Sequence, residues 1–185
     1  LQDSVTGTAV YQFNMAKDDT IKNGNFRFQQ FIEHYQDSDT IHGFVLDGPF
    51  SQNRKDGAWR FVSRDFTVSG NPQALDARVV YDVTGEESLI KSIFRKGTVD
   101  GAYELLDRRL VDSRSADTTY YAQFTYQMGK PSGPLHGFTS HLRTEGQFDN
   151  DGFPHGDWRF THQQDSGADM VEIRRYDHGF FSKHF

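Results

Sequence analysis

The chain of 185 residues contains no cysteine. This absence excludes disulfide frameworks, thiolate zinc sites and cysteine nucleophiles. There is also no run of about 18 apolar residues of the kind that spans a bilayer as a helix. The motifs G-x-S-x-G, G-x-G-x-x-G and H-E-x-x-H are missing, as is a phosphate-binding loop. These absences argue against the common hydrolase, dinucleotide-binding and zinc-protease chemistries.

Glutamate is scarce and aspartate is abundant, with six Glu against twenty Asp. Asp and the 17 glycines favour turns over helix interiors. The aromatic share of 15% is high for an apolar share of 35%. Together these features predict an all-β, turn-rich chain, and the length predicts one domain spanning residues 1–185.

Basic residues are too few to balance the acidic ones, and the net charge is −6. Since phosphate neutralisation needs a basic face, this charge argues against nucleic acid as a partner. The chain begins with Leu1-Gln2-Asp3-Ser4 rather than Met. We expect an exported protein, periplasmic or on the cell surface, whose leader has been removed; a trimmed cytoplasmic protein is the alternative.

Two near-identical stretches organise the chain, Gly57-Ala58-Trp59-Arg60-Phe61 and Gly156-Asp157-Trp158-Arg159-Phe160. Each follows a shorter Gly-x-Phe, at Gly48-Pro49-Phe50 and at Gly146-Gln147-Phe148. The pattern predicts a β-hairpin written twice, with weaker copies elsewhere. The residues predicted to form this structural repeat are Gly24, Phe26, Phe28, Gly57, Trp59, Phe61, Gly101, Tyr103, Gly137, Gly156, Trp158 and Phe160.

Nine of the 17 glycines follow Asp, Asn or His. A type I′ turn needs positive φ at both central residues, which such dipeptides provide. The pattern therefore predicts hairpin turns at these dipeptides, and a further turn at Thr84-Gly85-Glu86-Glu87. In this interpretation four histidines replace Asp or Asn in turns, namely His42, His136, His155 and His178.

The period of two in a strand separates the residues of each repeat. Trp59 and Phe61 share one face, and Arg60 points to the other. Stacked hairpins of this kind predict an antiparallel meander that forms an extended, largely single-layer sheet, with a β-barrel as the alternative. Residues 103–111 have leucines at helical spacing, but the flanking hairpins favour a strand there.

The repeat G-x-F…D-G-x-W-x-F resembles the MORN repeat and its bacterial variants, most clearly over residues 43–61 and 137–160. The resemblance implies scaffolding, membrane-proximal or protein-binding roles, and some bacterial members are antitoxin-like. It implies no catalytic residues. The glycines at 24, 57, 101, 137 and 156 are unevenly spaced, whereas MORN repeats recur about every 23 residues.

Three arginines, Arg27, Arg60 and Arg159, are the candidate binding residues. On a flat sheet they would line the face opposite the aromatic side chains, where guanidinium groups bind anionic groups or a partner's carboxylates. The alternative is that they solvate the outer face and pair with aspartates in the turns, which contributes little to stability.

The sequence favours neither a metal site nor a cofactor. Among the eight histidines there is no close pair at ligand spacing. Asp149-Asn150-Asp151-Gly152 imitates a calcium loop, but Gln147 and Trp158 would occupy ligand positions, so a hairpin turn is favoured.

These observations favour a non-enzymatic β-repeat protein that binds another macromolecule or a component of the cell envelope. A lipocalin-like carrier is the second hypothesis, because Gly57-Ala58-Trp59 and Gly156-Asp157-Trp158 each imitate a G-x-W signature. A hydrolase with Asp and His on hairpin tips is the third hypothesis.

Overall fold

The computed structural model describes residues 4–16, 19–35, 39–71, 80–111 and 116–184. All of its regular structure is β-strand, and neighbouring strands of the sheet pair antiparallel. The strands are β1 Ser4–Ala16, β2 Asp19–Tyr35, β3 Asp39–Ser51, β4 Arg54–Lys55, β5 Gly57–Asn71, β6 Val80–Arg95, β7 Thr98–Leu110, β8 Ala116–Gln127, β9 Lys130–Thr139, β10 Leu142–Phe148, β11 Pro154–His162, β12 Met170–Asp177 and β13 Phe180–His184.

The strands form one open sheet in chain order, with only the two-residue β4 off the main path, beside β3. In the described part of the chain, extensive contact occurs only between neighbours in the sheet, so no second layer covers either face. The predicted all-β, single-layer antiparallel meander is confirmed. The alternative of a closed barrel is wrong, because β1 and β13 lie at opposite edges.

Two-residue hairpin turns lie at one end of the sheet, which we call the turn end. Both turn residues have positive φ at Gln52-Asn53, Lys96-Gly97, Met128-Gly129 and His178-Gly179. The predicted turn positions are therefore mostly wrong. His42 and His136 lie inside β3 and β9, and His155 lies inside β11, so only His178 occupies the turn position assigned to it.

Most of the repeat glycines mark bulges inside strands instead of turns. Gly24, Gly57, Gly101 and Gly156 have positive φ, from 75° to 135°. Pairing shifts register beside Gly24, Gly101 and Gly156, and Gly57 follows the break between β4 and β5. Glycine adopts positive φ at a bulge with a smaller energetic penalty than any other residue.

Gly137 differs from the other predicted repeat glycines. It is a buried strand residue of β9 without positive φ. The equivalent bulge glycine is Gly133, with φ of 72°. The distance from a turn to the following bulge is regular. In each hairpin the second residue lies four positions after the first: Gly97 and Gly101, Gly129 and Gly133, Gly152 and Gly156, and Asn53 and Gly57.

The Gly-x-Phe and Gly-x-Trp halves of the module fit together directly. A Cβ atom on Gly48 would lie 2.4 Å from the indole of Trp59, and one on Gly146 would lie 2.3 Å from that of Trp158. Each indole thus lies flat over a glycine of the neighbouring strand. Phe50 meets Trp59 edge-on at a centroid distance of 5.0 Å, and Phe148 meets Trp158 in the same way at 5.4 Å.

Pairing across the sheet defines two faces. The tryptophan face carries Trp59 and Trp158, and the arginine face carries Arg60 and Arg159, as the alternation predicts. The face that carries the buried side chains changes along the strands. Trp59, only 2% exposed, is on the tryptophan face near the turn end, whereas the buried Val62 lies further along β5 on the arginine face. This exchange is consistent with the twist of a sheet that has no second layer.

Candidate binding surface on the arginine face

All three predicted arginines belong to one row of residues that face each other across the sheet. Antiparallel pairing places Arg27 opposite Asp47, Asp47 opposite Arg60, and Glu145 opposite Arg159. Strand by strand, the row contains Val10, Arg27, Asp47, Arg60, Lys91, Glu104, Gln123, His136, Glu145, Arg159 and Ile173.

The row brings Arg27 and Arg60 together but leaves Arg159 apart. Arg27 and Arg60 are two strands from each other, or about 10 Å between backbones, whereas Arg159 is six strands, about 29 Å, beyond Arg60. Arg60 donates two hydrogen bonds to Asp47 Oδ2, at 2.6 and 3.1 Å. Within the described residues, Arg27 and Arg159 make no ion pair.

The alternative, pairing with an aspartate, therefore holds for Arg60; only the location is wrong, since its partner Asp47 lies within β3 and not in a turn. Arg27 and Arg159 keep their guanidinium groups available to solvent or to a partner. They form a matched pair of arginines on the same face, and only one of them lies at the groove described next.

A groove crosses the sheet at this row near the turn end. It consists of two hollows of about 320 and 470 Å³ that share Asp47, Ala58 and Arg60. One hollow continues over β1 and β2 to Val10 and Arg27. The other continues over β6 to β8, along Lys91, Ile93, Ala102, Glu104 and Gln123.

Small side chains form the floor of the groove. Ala58 lies opposite Ile93, and Ala102 follows the bulge at Gly101. A Cβ atom on Gly101 would approach that of Ile93 to 2.9 Å, so the bulge lets β7 come close to β6 here. The bulges of the repeat therefore shape this part of the arginine face, and Ile93 remains partly exposed as an apolar contact.

Ion pairs line one side of the groove. The Arg60–Asp47 pair is followed by Lys91–Glu104, with Nζ and Oε1 2.8 Å apart, and both pairs are partly exposed. With Arg27 included, three cationic groups stand against two carboxylates. The groove thus carries one net positive charge in a chain whose net charge is −6.

An ionic triad with a buried carboxylate and two partly exposed arginines lies on the same face, farther from the turn end. Glu87 is 6% exposed and accepts hydrogen bonds from Arg64 Nε at 2.6 Å and from Arg108 Nη2. Burial raises the pKa of the Glu87 carboxyl, but the hydrogen bonds and charges of Arg108 and Arg64 outweigh it and hold the pKa below its ordinary value. Arg108 Nε is buried, and the described residues offer it no acceptor.

Sequence reasoning missed both the triad and the groove. The run Thr84-Gly85-Glu86-Glu87 was predicted as a turn, but it lies inside β6. The available signal for Glu87 was the period of two along a strand, which places Glu87 on the same face as Leu89 and Lys91. The groove depends on register across seven strands, which one sequence does not reveal.

The described residues hold no group of three or more His, Asp or Glu side chains placed to bind a metal ion. The stretch 149–153 forms the connection between β10 and β11, where the Asp149 carboxylate accepts hydrogen bonds from the amides of Asp151 and Phe153, both at 2.9 Å. The hairpin turn favoured for this stretch is therefore confirmed. In the described chain no helix has the length and apolarity of a membrane span.

Comparison with protein-family models and with curated proteins found no match.

Proposed function

We propose that this chain is a non-enzymatic binding protein that holds an extended polypeptide segment of another macromolecule in the groove on its arginine face. The observation that carries the proposal is the continuity of the groove over seven strands, from Val10 on β1 to Gln123 on β8. A route across the strands, with a floor of small residues, suits a ligand that is long and narrow.

The dimensions support an extended peptide. Six strand spacings of about 4.8 Å give a length of about 29 Å. An extended chain advances about 3.3 Å per residue, so the groove accommodates about nine residues. Its surplus positive charge and the unpaired Arg27 favour a segment with net negative charge, since carboxylates form the stronger, charge-assisted hydrogen bonds with guanidinium groups.

The experiment selects binders from a displayed library of random nine-residue peptides and measures their affinity by fluorescence anisotropy. Arg27→Ala should weaken binding about three- to tenfold, because one charge-assisted contact is lost. Ala102→Trp should abolish binding by filling the groove. Both sites are on the surface, so folding should be unaffected.

Arg159→Ala is the matched control, because this arginine is equally unpaired and on the same face but outside the groove. It should leave the affinity unchanged. Equal losses of affinity for Arg27→Ala and Arg159→Ala would exclude the groove as the binding surface. So would selected peptides that bind the Ala102→Trp variant as tightly as the wild type. Failure of the library to yield any binder would count against the proposed function itself.

A further inference from the structure

The two edges of the sheet differ in length and chemistry. The edge strand β13 has five residues, including Lys183 and His184. The edge strand β1 has 13 residues with no charged side chain and no proline. Charges, prolines and short strands are the usual devices that stop edge-to-edge pairing, and β1 lacks all three. Among the described strands, only β2 pairs with it.

The described side chains of β1, residues 5–15, are also exposed and mostly apolar. Exposed apolar residues point to both faces: Val10, 70% exposed, to the arginine face, and Val5, Tyr11, Phe13 and Met15 to the tryptophan face. Tyr11 and Phe13 contact each other at a centroid distance of 5.8 Å and extend the aromatic layer to the rim of the sheet. An added strand would cover this rim and satisfy the free backbone groups of β1.

We propose that the occupant is β1 of a second copy of this chain, paired antiparallel about a two-fold axis at Val10. In this register every large side chain on the tryptophan face meets a smaller one: Phe13 faces Gly7, Tyr11 faces Ala9, and Met15 faces Val5. On the arginine face Thr8 meets Gln12 and Thr6 meets Asn14, while Val10 meets its own copy.

Charge also favours self-pairing at this edge. Two chains with a net charge of −6 repel each other on average, but the uncharged β1 brings no like charges into direct contact. Two-fold pairing consumes both β1 edges and leaves only the two short β13 edges outside. The assembly therefore closes at two copies instead of growing into a fibre.

Light scattering coupled to size exclusion tests the dimer without any peptide ligand, so the result is independent of the proposed function. The wild-type chain at about 100 μM should have twice the chain mass of 21.2 kDa. Val10→Lys places two like charges on the axis and should weaken the dimer by on the order of tenfold or more. Val10 is exposed, so its replacement should leave the unfolding midpoint of the monomer unchanged.

Met128→Lys is the matched control, since Met128 is 77% exposed and Lys96 occupies the equivalent position of another turn. It should leave the dimer intact. Mixing Val10→Lys with Val10→Asp should restore dimers, because the two side chains then attract. In this cysteine-free chain, Val10→Cys should also oxidise rapidly to a disulfide-linked dimer, and Met128→Cys should not.

A monomeric wild-type chain at this concentration would overturn the proposal. So would a dimer that Val10→Lys weakens no more than Met128→Lys does, or a Val10→Cys variant that cross-links no faster than Met128→Cys. Dimers that form again in the mixture would show that the two side chains at position 10 face each other. If either substitution weakened the dimer by disturbing its own chain, the other variant would not reverse that effect.

Discussion

At the scale of single residues, the fold depends on two glycines that carry no turn. Gly48 and Gly146 lie beneath Trp59 and Trp158, where any Cβ atom would overlap the indole ring. The glycines allow each indole to pack against a backbone instead of a second layer. Trp59 Nε1 also donates a hydrogen bond to the carbonyl of Pro49 at 2.9 Å. The glycine beneath the indole explains why Gly-x-Phe precedes Gly-x-Trp in both copies of the module. The hydrogen bond belongs to the first copy, because the buried Trp158 Nε1 has no acceptor among the described residues.

Replacement of Gly48 by Ala should therefore destabilise the chain by about 3 kcal/mol, because the indole must leave its place over the backbone. Urea unfolding followed by tryptophan fluorescence measures this change. Gly7→Ala is the control, measured at a chain concentration low enough to keep the protein monomeric, since within one chain its added Cβ would have no neighbour closer than 3.6 Å. Equal stability of the Gly48→Ala variant and the wild type would contradict the packing described for Trp59.

Glu87 provides a second prediction at this scale. Because the folded-state pKa of Glu87 is held below its ordinary value, its stabilising contribution is complete above the unfolded pKa near 4.5 and is lost as the pH falls through the folded value. Glu87→Gln should lower the free energy of unfolding near pH 7 by about 1 to 3 kcal/mol, since two partly exposed arginines lose their shared carboxylate.

Urea titrations between about pH 7 and pH 3 measure this dependence. The difference in stability between wild type and Glu87→Gln should narrow as the pH falls below about 4.5. Glu86→Gln is the control: Glu86 is exposed and contacts Arg109 at 3.3 Å, so its replacement should change stability by less than about 0.5 kcal/mol. A difference for Glu87→Gln that stays constant with pH would show that the triad carboxylate is not ionised in the folded chain.

At the scale of the element, the repeating unit is a hairpin whose turn and bulge are four residues apart. Successive turns are joined by backbone hydrogen bonds: Gly97 donates to Lys55, Gly129 to Val99 and Gly179 to Pro154, each at 2.8 Å. The unit therefore includes a contact to the preceding hairpin. This contact fixes the stacking of the turn end.

The sequence predicts part of this unit. The alternation of Trp59, Arg60 and Phe61 was sufficient to separate the two faces, because a period of two is a local property of a strand. Turn positions were harder to predict, because residues with positive φ occur both in type I′ turns and at bulges. Asp56-Gly57 and Lys96-Gly97 therefore look alike in sequence, and only the recurring four-residue spacing between turn and bulge separates them.

At the scale of the whole molecule, an open sheet of one layer presents both faces to solvent. The buried side chains lie on its tryptophan face near the turn end and on its arginine face farther along, around Val62 and Glu87. The groove lies on the arginine face near the turn end, over β1 to β8. Its residues come from strands far apart in sequence, so the row of Arg27, Asp47 and Arg60 follows from register and not from any motif.

Thiol labelling tests whether the groove on the arginine face is the binding surface. Ala58→Cys places the only thiol of the chain in the groove, and Ser63→Cys places it on the tryptophan face of the same strand. Both positions are exposed. A saturating selected nine-residue peptide should slow maleimide labelling of Ala58→Cys about tenfold and leave Ser63→Cys unchanged. Equal slowing of labelling at both positions, or slowing only at Ser63→Cys, would show that the peptide does not bind in the groove.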